Sequence, residues 1–260
     1  MSNAPGMDES PGRPRRWEQL TGPDIGQLLA DDPRQVCLMP VGATEQHGPH
    51  LPTGTDTIVA TLLCDEVSQR TGALVLPALS LGASFGHGTT FAGTLSAAPE
   101  ELAGQVRRMV EWAAYSGVRR LVVVNAHVGN TAALSVAGDH LRLEREDIRV
   151  GVANWWELDD WIAREVSADG DDWHANRAET SLLLALAPQL VDMAKAATAD
   201  DQDRSGGLIF RYTARQLSRN GVTGRPSSAT GELGTRIRER VVAALVELLK
   251  RARDEEPPLV

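Results

Sequence analysis

The sequence predicts an α/β protein, a three-layer α/β/α sandwich around a central, mostly parallel sheet. Short and nearly continuous apolar runs recur through the middle of the chain, the pattern of strands covered on both faces. Longer amphipathic stretches lie between them, and this β-α-β-α order makes parallel crossovers the expected connection. With 260 residues, 42% of them hydrophobic, the chain can fill one core of this kind.

Taken in order, residues 1–16 combine Pro, Gly and charge and are expected to form a disordered N-terminal tail. A single catalytic domain is expected over 17–252, followed by a loose C-terminal tail over 253–260, RDEEPPLV. VCLMPVG (36–42) is the first buried strand, and TIVATLLCDEVSQRTG (57–72) the helix after it, with Asp56 placed to cap it. ALVLPALSLG (73–82) is the second strand. PEELAGQVRRMVEWAAYSG (99–117) opens acidic, closes at Gly117 and puts Leu102, Val106, Met109, Val110 and Ala113 on one face. RLVVVNAH (120–127) and IRVGVANWW (148–156) are the third and fourth strands, with the helix NTAALSVAGDHLRLERE (130–146) between them. AETSLLLALAPQLV (178–191) is helical. Residues 200–234 are rich in Gly, Ser, Thr and Arg with weak periodicity, which suggests a long functional loop. RIRERVVAALVELLKRAR (236–253) ends the domain, with Val241, Leu245 and Leu248 on its apolar face.

Charge and composition narrow the function. A net charge of -9 without a block of basic residues argues against nucleic acid or an anionic membrane as the partner, and favours a small-molecule amide or a short modified peptide. Cys37 and Cys64 lie in apolar stretches without C-x-x-C spacing, so neither a disulfide framework nor a thiolate zinc site is expected. The first sixteen residues hold no apolar signal core, and a cytoplasmic location is expected.

The chemistry gathers at strand ends, where ligands of open parallel sheets bind. After the first strand come Glu45 and His47, two apart and so on one side of an extended segment, and then Asp56. The third strand delivers His127 between Asn125 and Asn130. After the fourth, WHANRAETS offers His174 and Glu179. Carboxylates and imidazoles without thiolate suit zinc or manganese, with iron a third option. Such ions activate water for hydrolysis.

Together, PVGATEQHGPHLPTGTD, FAGTLS, VNAHVGN and HANRAETSLLLALAPQLVD resemble the creatininase (creatinine amidohydrolase) family over roughly residues 35–195, with a weaker echo in GVTGRPSSATGELG. The motif style is nearest to the members that mature the mycofactocin peptide. The resemblance implies an α/β fold, a dinuclear metal centre, hydrolysis of cyclic or other non-standard amides, and a homo-oligomer, a hexamer built as a trimer of dimers. It assigns Glu45 and His127 to one metal, His47 to the other, Asp56 to both, and proton transfer to His174. Creatininase itself has a metal-binding glutamate two residues after the histidine of its NGH motif; here that position is Gly129, and Glu179 is the substitute. Trp156, Trp173 and His87 are expected to contact substrate, and Asn125 and Asn130 to orient His127 from behind. A mycofactocin-type peptidase, a formamide deformylase, a metal-dependent lyase or isomerase, and an inactive metal-stabilised scaffold, for which Ala126, Val128 and Asn176 leave room, are the alternatives.

Overall fold

A computed structural model describes residues 12–259. Five parallel strands form the sheet in the order β1-β3-β2-β4-β5: β1 Arg15–Arg16, β2 Val36–Val41, β3 Leu74–Val75, β4 Arg120–Asn125 and β5 Arg149–Asn154. Alternation along the central strands divides the core in two. Val36, Leu38, Val122 and Val124 face one layer, while Cys37, Met39, Val41, Leu121 and Val123 face the other. The second layer is made by α1 (Gly22–Asp31), α3 (Pro99–Tyr115) and α4 (Thr131–Glu144). The first is made by α2 (Thr55–Thr71), α5 (Asp160–Val166), α6 (Arg177–Leu186) and, beyond the short α7 (Met193–Ala196) and α8 (Ala214–Leu217), by α9 (Gly231–Asp254). No helix among the described residues is long and apolar enough to cross a membrane.

Register sets the site. Val41 pairs with Asn125 and Asn125 with Asn154, so β2, β4 and β5 end level and the segments that follow them leave from one edge.

Four expectations change. Residues 1–11 of the N-terminal tail lie outside the described residues, but Arg15 and Arg16 form β1 beside β3, and Arg16 Nε donates to Asp65 at 2.9 Å. At the other end α9 runs to Asp254, and Glu256 is tied to Arg120 and Arg149 at 2.9 and 2.6 Å rather than loose. The run 73–82 is ladder only at Leu74–Val75, with an isolated bridge at Leu79, because Pro77 lacks the N–H a ladder needs. β5 is not covered on both faces: it is an edge strand, and Val152 is 44% exposed.

Helix α9 crosses α6 closely enough that only glycine fits at 234, where a Cβ would overlap the Ser181 carbonyl. Gly234→Ala should therefore destabilise the fold by about 1–3 kcal/mol, as overpacking of a tight contact does. For a chain of this size thermal melting should show a fall of about 2–4 °C per kcal/mol.

Candidate metal centre

Backbone hydrogen bonds fix the loop after β2 before any metal is considered. Glu45 N–H donates to Thr53 O at 2.8 Å, and Gln46 N–H to Thr94 Oγ1 at 3.0 Å. The tip of β4 is held by two asparagines. Asn125 Oδ1 accepts from His127 N–H (3.1 Å) and from Asn130 Nδ2 (3.2 Å), while Asn130 also donates to Gly42 O and accepts from Ala83 N–H, each at 2.9 Å. Asn125 and Asn130 thus bind three loops together and hold the backbone of His127. The imidazole itself is oriented by Ala83, whose carbonyl accepts from Nε2 at 3.2 Å, a partner that no side-chain motif reveals.

Asp56 is not the cap of α2, since Gly54 occupies that position; it is the second residue of the helix, in its first turn, and buried. Its two oxygens face different histidines. Oδ1 is 3.0 Å from His47 Nε2 and Oδ2 is 3.3 Å from His127 Nδ1. Glu45 Oε1 lies 3.3 Å from the same His127 Nδ1, and Glu179 Oε1 lies 3.9 Å from His47 Nε2. Glu45, Asp56 and His127 form one compact donor group, and His47, Asp56 and Glu179 a second.

The tautomers show what these groups are for. His47 Nδ1 must donate to the Glu45 carbonyl (3.1 Å) and His127 Nε2 to that of Ala83, because a carbonyl only accepts. In the neutral rings the other nitrogen of each then carries a lone pair aimed at carboxylate oxygens. Such a contact is repulsive unless a cation lies between. Glu45 Oε1 and Oε2, His47 Nε2, Asp56 Oδ2 and Glu179 Oε2 are all buried without a hydrogen-bond partner. The donor set fits divalent metal, and its second nitrogens carry the backbone bonds that usually orient ligating histidines.

Without metal, protons meet the same demand. Burial would lower His47, but Asp56, Glu179 and Glu45 outweigh it and push it up to about 10; His127 is likewise raised, against burial, by Glu45 and Asp56. Glu179 is raised to about 7 by burial, with Asp56 and Glu45 adding and His47 opposing. His174 is held well below the usual imidazole range by burial and by His47 and His87, and so is neutral.

Glu179 reaches the cluster from the first turn of α6. The helix is capped by Asn176, whose Oδ1 accepts from Glu179 N–H at 3.0 Å and whose Nδ2 donates to Val166 O and Asp169 Oδ1. Such a cap is worth about 1 kcal/mol. Gly129 cannot carry a ligand in this arrangement, since a Cβ there would overlap both the Ala83 carbonyl and His127 Nε2. Between His174 and Asn176, Ala175 adopts φ 49°, a left-handed conformation that costs a non-glycine residue about 1–2 kcal/mol. The strain is held by paired backbone bonds of 3.0 and 2.8 Å between His174 and Thr223.

A cavity of about 450 Å³ opens onto the cluster and includes Glu45, Asp56, His127, His174, Glu179, His87 and Trp173 in its lining. His87 Nε2 is 3.2 Å from Glu45 Oε2, and its ring centroid is 4.4 Å from that of His174. Trp156 does not line the cavity; it is buried behind Trp173, their centroids 5.8 Å apart. His50 is buried against Thr180 Oγ1 at 2.9 Å, and His140 sits outside, exposed beside Glu144. Gln46 escaped the sequence reading although it lies inside the quoted TEQH motif. Its carbonyl accepts from His174 Nε2 (2.7 Å), and its Nε2 lies 2.9 Å from both His87 Nδ1 and Gly221 O.

Comparison with known proteins identifies relatives over nearly the whole chain. The family model described as "Creatininase: Creatinine amidohydrolase" matches residues 18–249. The creatinine amidohydrolase of Pseudomonas putida is 31% identical over 239 residues, covering 86% of this chain and 90% of that protein. The mycofactocin precursor peptide peptidase of Mycobacterium tuberculosis is 36% identical over 249 residues, 88% of each. A crystal structure of creatinine amidohydrolase superposes with a TM-score of 0.81 at 29% identity, covering 94% of this chain and all of that one.

Elemental analysis of purified variants checks the donor sets. With one ion in each donor group, Asp56→Ala should lose both, because one oxygen faces each group. Glu179→Ala should lose only the ion beside His47, halving the metal content, and Glu179→Asp should weaken that same ion because its carboxylate falls short.

Proposed function

The chain belongs to the creatininase family, and from that premise we propose that it hydrolyses a cyclic or otherwise non-standard amide carbon–nitrogen bond at two divalent ions, zinc or manganese. Glu45 and His127 would hold one ion, His47 and Glu179 the other, and Asp56 belongs to both donor groups. The observation that carries this reading is the pair of lone-pair nitrogens, His47 Nε2 and His127 Nδ1, aimed at opposite oxygens of a buried Asp56. When bound, the ions supply Lewis-acid polarisation of the amide carbonyl and a water whose pKa is brought toward neutrality.

His174 moves the proton. Its Nε2–H is committed to the Gln46 carbonyl, which leaves Nδ1 open, 3.6 Å from Glu45 Oε1 on the cavity side. A neutral imidazole held this way accepts a proton at Nδ1 and returns it to the departing nitrogen. Trp173 and His87 wall the place where the amide lies, and burial of the carboxylates keeps bulk water from competing for the ligand atoms.

Cleavage of a peptide amide is the second reading, favoured by the 36% identity to a peptidase, higher than the 31% to the creatinine amidohydrolase.

Chelation should abolish hydrolysis, and zinc or manganese should restore it. His174→Gln should keep both ions while kcat falls about 10²- to 10⁴-fold, the usual contribution of a positioned acid–base group. Since His174 also lies within ligand reach of Glu45 and His47, loss of an ion from this variant would instead make it a ligand.

A further inference from the structure

The cavity does not end at the metal cluster. Part of its wall, Phe85, Gly86, Asp172 and Arg211, is shared with a second chamber of about 550 Å³ whose lining includes Leu208, Phe210 and Tyr212. The segment that builds it falls within the long aperiodic stretch at 200–234, most of which the hydrolytic reading leaves without a role.

Phe85 is 61% exposed and Phe210 73%, with Leu208, Ile209 and Tyr212 exposed beside them, a concentration of apolar surface that marks a binding site. Arg211 is the one lysine or arginine lining either chamber, and it forms no ion pair among the described residues. The first chamber is acidic, lined by Glu45, Asp56, Glu179, Asp171 and Asp172. A guanidinium at the junction is where an anionic group of a ligand would be held by opposite charge, outside the Glu45, Asp56 and Glu179 cluster and with Asp172 alone of the acidic residues in the shared wall.

We propose that Arg211 and the chamber of Phe85, Phe210 and Tyr212 determine specificity by taking a carboxylate and an apolar side chain on one arm of the substrate. The substrate is then a dipeptide-like N-acyl amino acid rather than a bare small ring. The proposal rests on the hydrolytic reading for the position of the scissile amide at the cluster.

The test is calorimetric titration of zinc-loaded, full-length His174→Gln protein, in which turnover is suppressed, with glycyl-phenylalanine, its carboxamide, and glycyl-glycine. Glycyl-phenylalanine should bind about tenfold or more tightly than either comparison ligand, as a charge-assisted pair and a buried ring each contribute. Adding Arg211→Gln should erase the preference for the carboxylate but not for the ring, and Arg211→Lys should restore part of it. Adding Phe210→Ala should erase the preference for the ring. Equal affinity for the three ligands would overturn the proposal, as would a carboxylate preference that survives Arg211→Gln, which would put the carboxylate on the ions. A change of oligomeric state on Phe210→Ala with ligand preference intact would give the apolar loop to a second copy of the chain and also overturn it. Failure of the protein to load zinc, or selective binding without hydrolysis by the wild-type protein, would count against the hydrolytic reading instead.

Discussion

The constraint on which the rest depends is the position of Asp56 between two imidazoles whose tautomers are set by backbone carbonyls. In their neutral forms His47 and His127 each give their only N–H to the main chain, so each then turns a lone pair to the carboxylate and calls for a cation or a proton between them. Buried charges of one sign are costly by several kcal/mol unless an opposite charge joins them. The fold accepts that cost by bringing the start of α2 hard against the end of β2. A Cβ at Gly42 would collide with the backbone of Thr57, so a larger residue there would push Asp56 out of reach of both rings.

Much of this was legible in the sequence. The central strands β2 and β4 could be read from their apolar runs, VCLMPV and LVVV, and the candidate ligands Glu45, His47 and His127 because they fall just after strand ends in a parallel sheet. What failed depended on neighbours in space. β5 has the same apolar look as β4, but nothing in its own residues says that no strand lies beyond it. Arg15 and Arg16 read as a charged tail because their ladder partner, β3, is nearly sixty residues away. Trp156 and Trp173 could not be told apart in the sequence, since only their edge-on packing puts one in the cavity wall and the other behind it. Ala83 and Gln46 act on His127 and His174 through carbonyl oxygens, and a carbonyl leaves no mark on residue type.

The two halves of the site rest on different supports. Glu45 and His127 follow the rigid central strands. His174 stands on a strained turn at Ala175 and is kept there by main-chain bonds to Thr223. Gln46 joins the halves, reaching His174, His87 and Gly221 from one residue. Displacement of the 220s segment would therefore be felt at His174 before it reached Glu45 and His127.

The crowding at Gly129 also bears on how such a centre can change over evolutionary time. A glutamate introduced there would have to displace either His127 or the Ala83 carbonyl that orients it, so that change passes through a form with a disturbed His127. Glu179, anchored independently through Asn176, presents its carboxylate to the same cluster without disturbing either group. A substitution that moved a carboxylate from the strand tip to this helix would therefore be easier to make than to reverse, since the space at 129 is closed by the very ring and carbonyl that such a reversal would have to part.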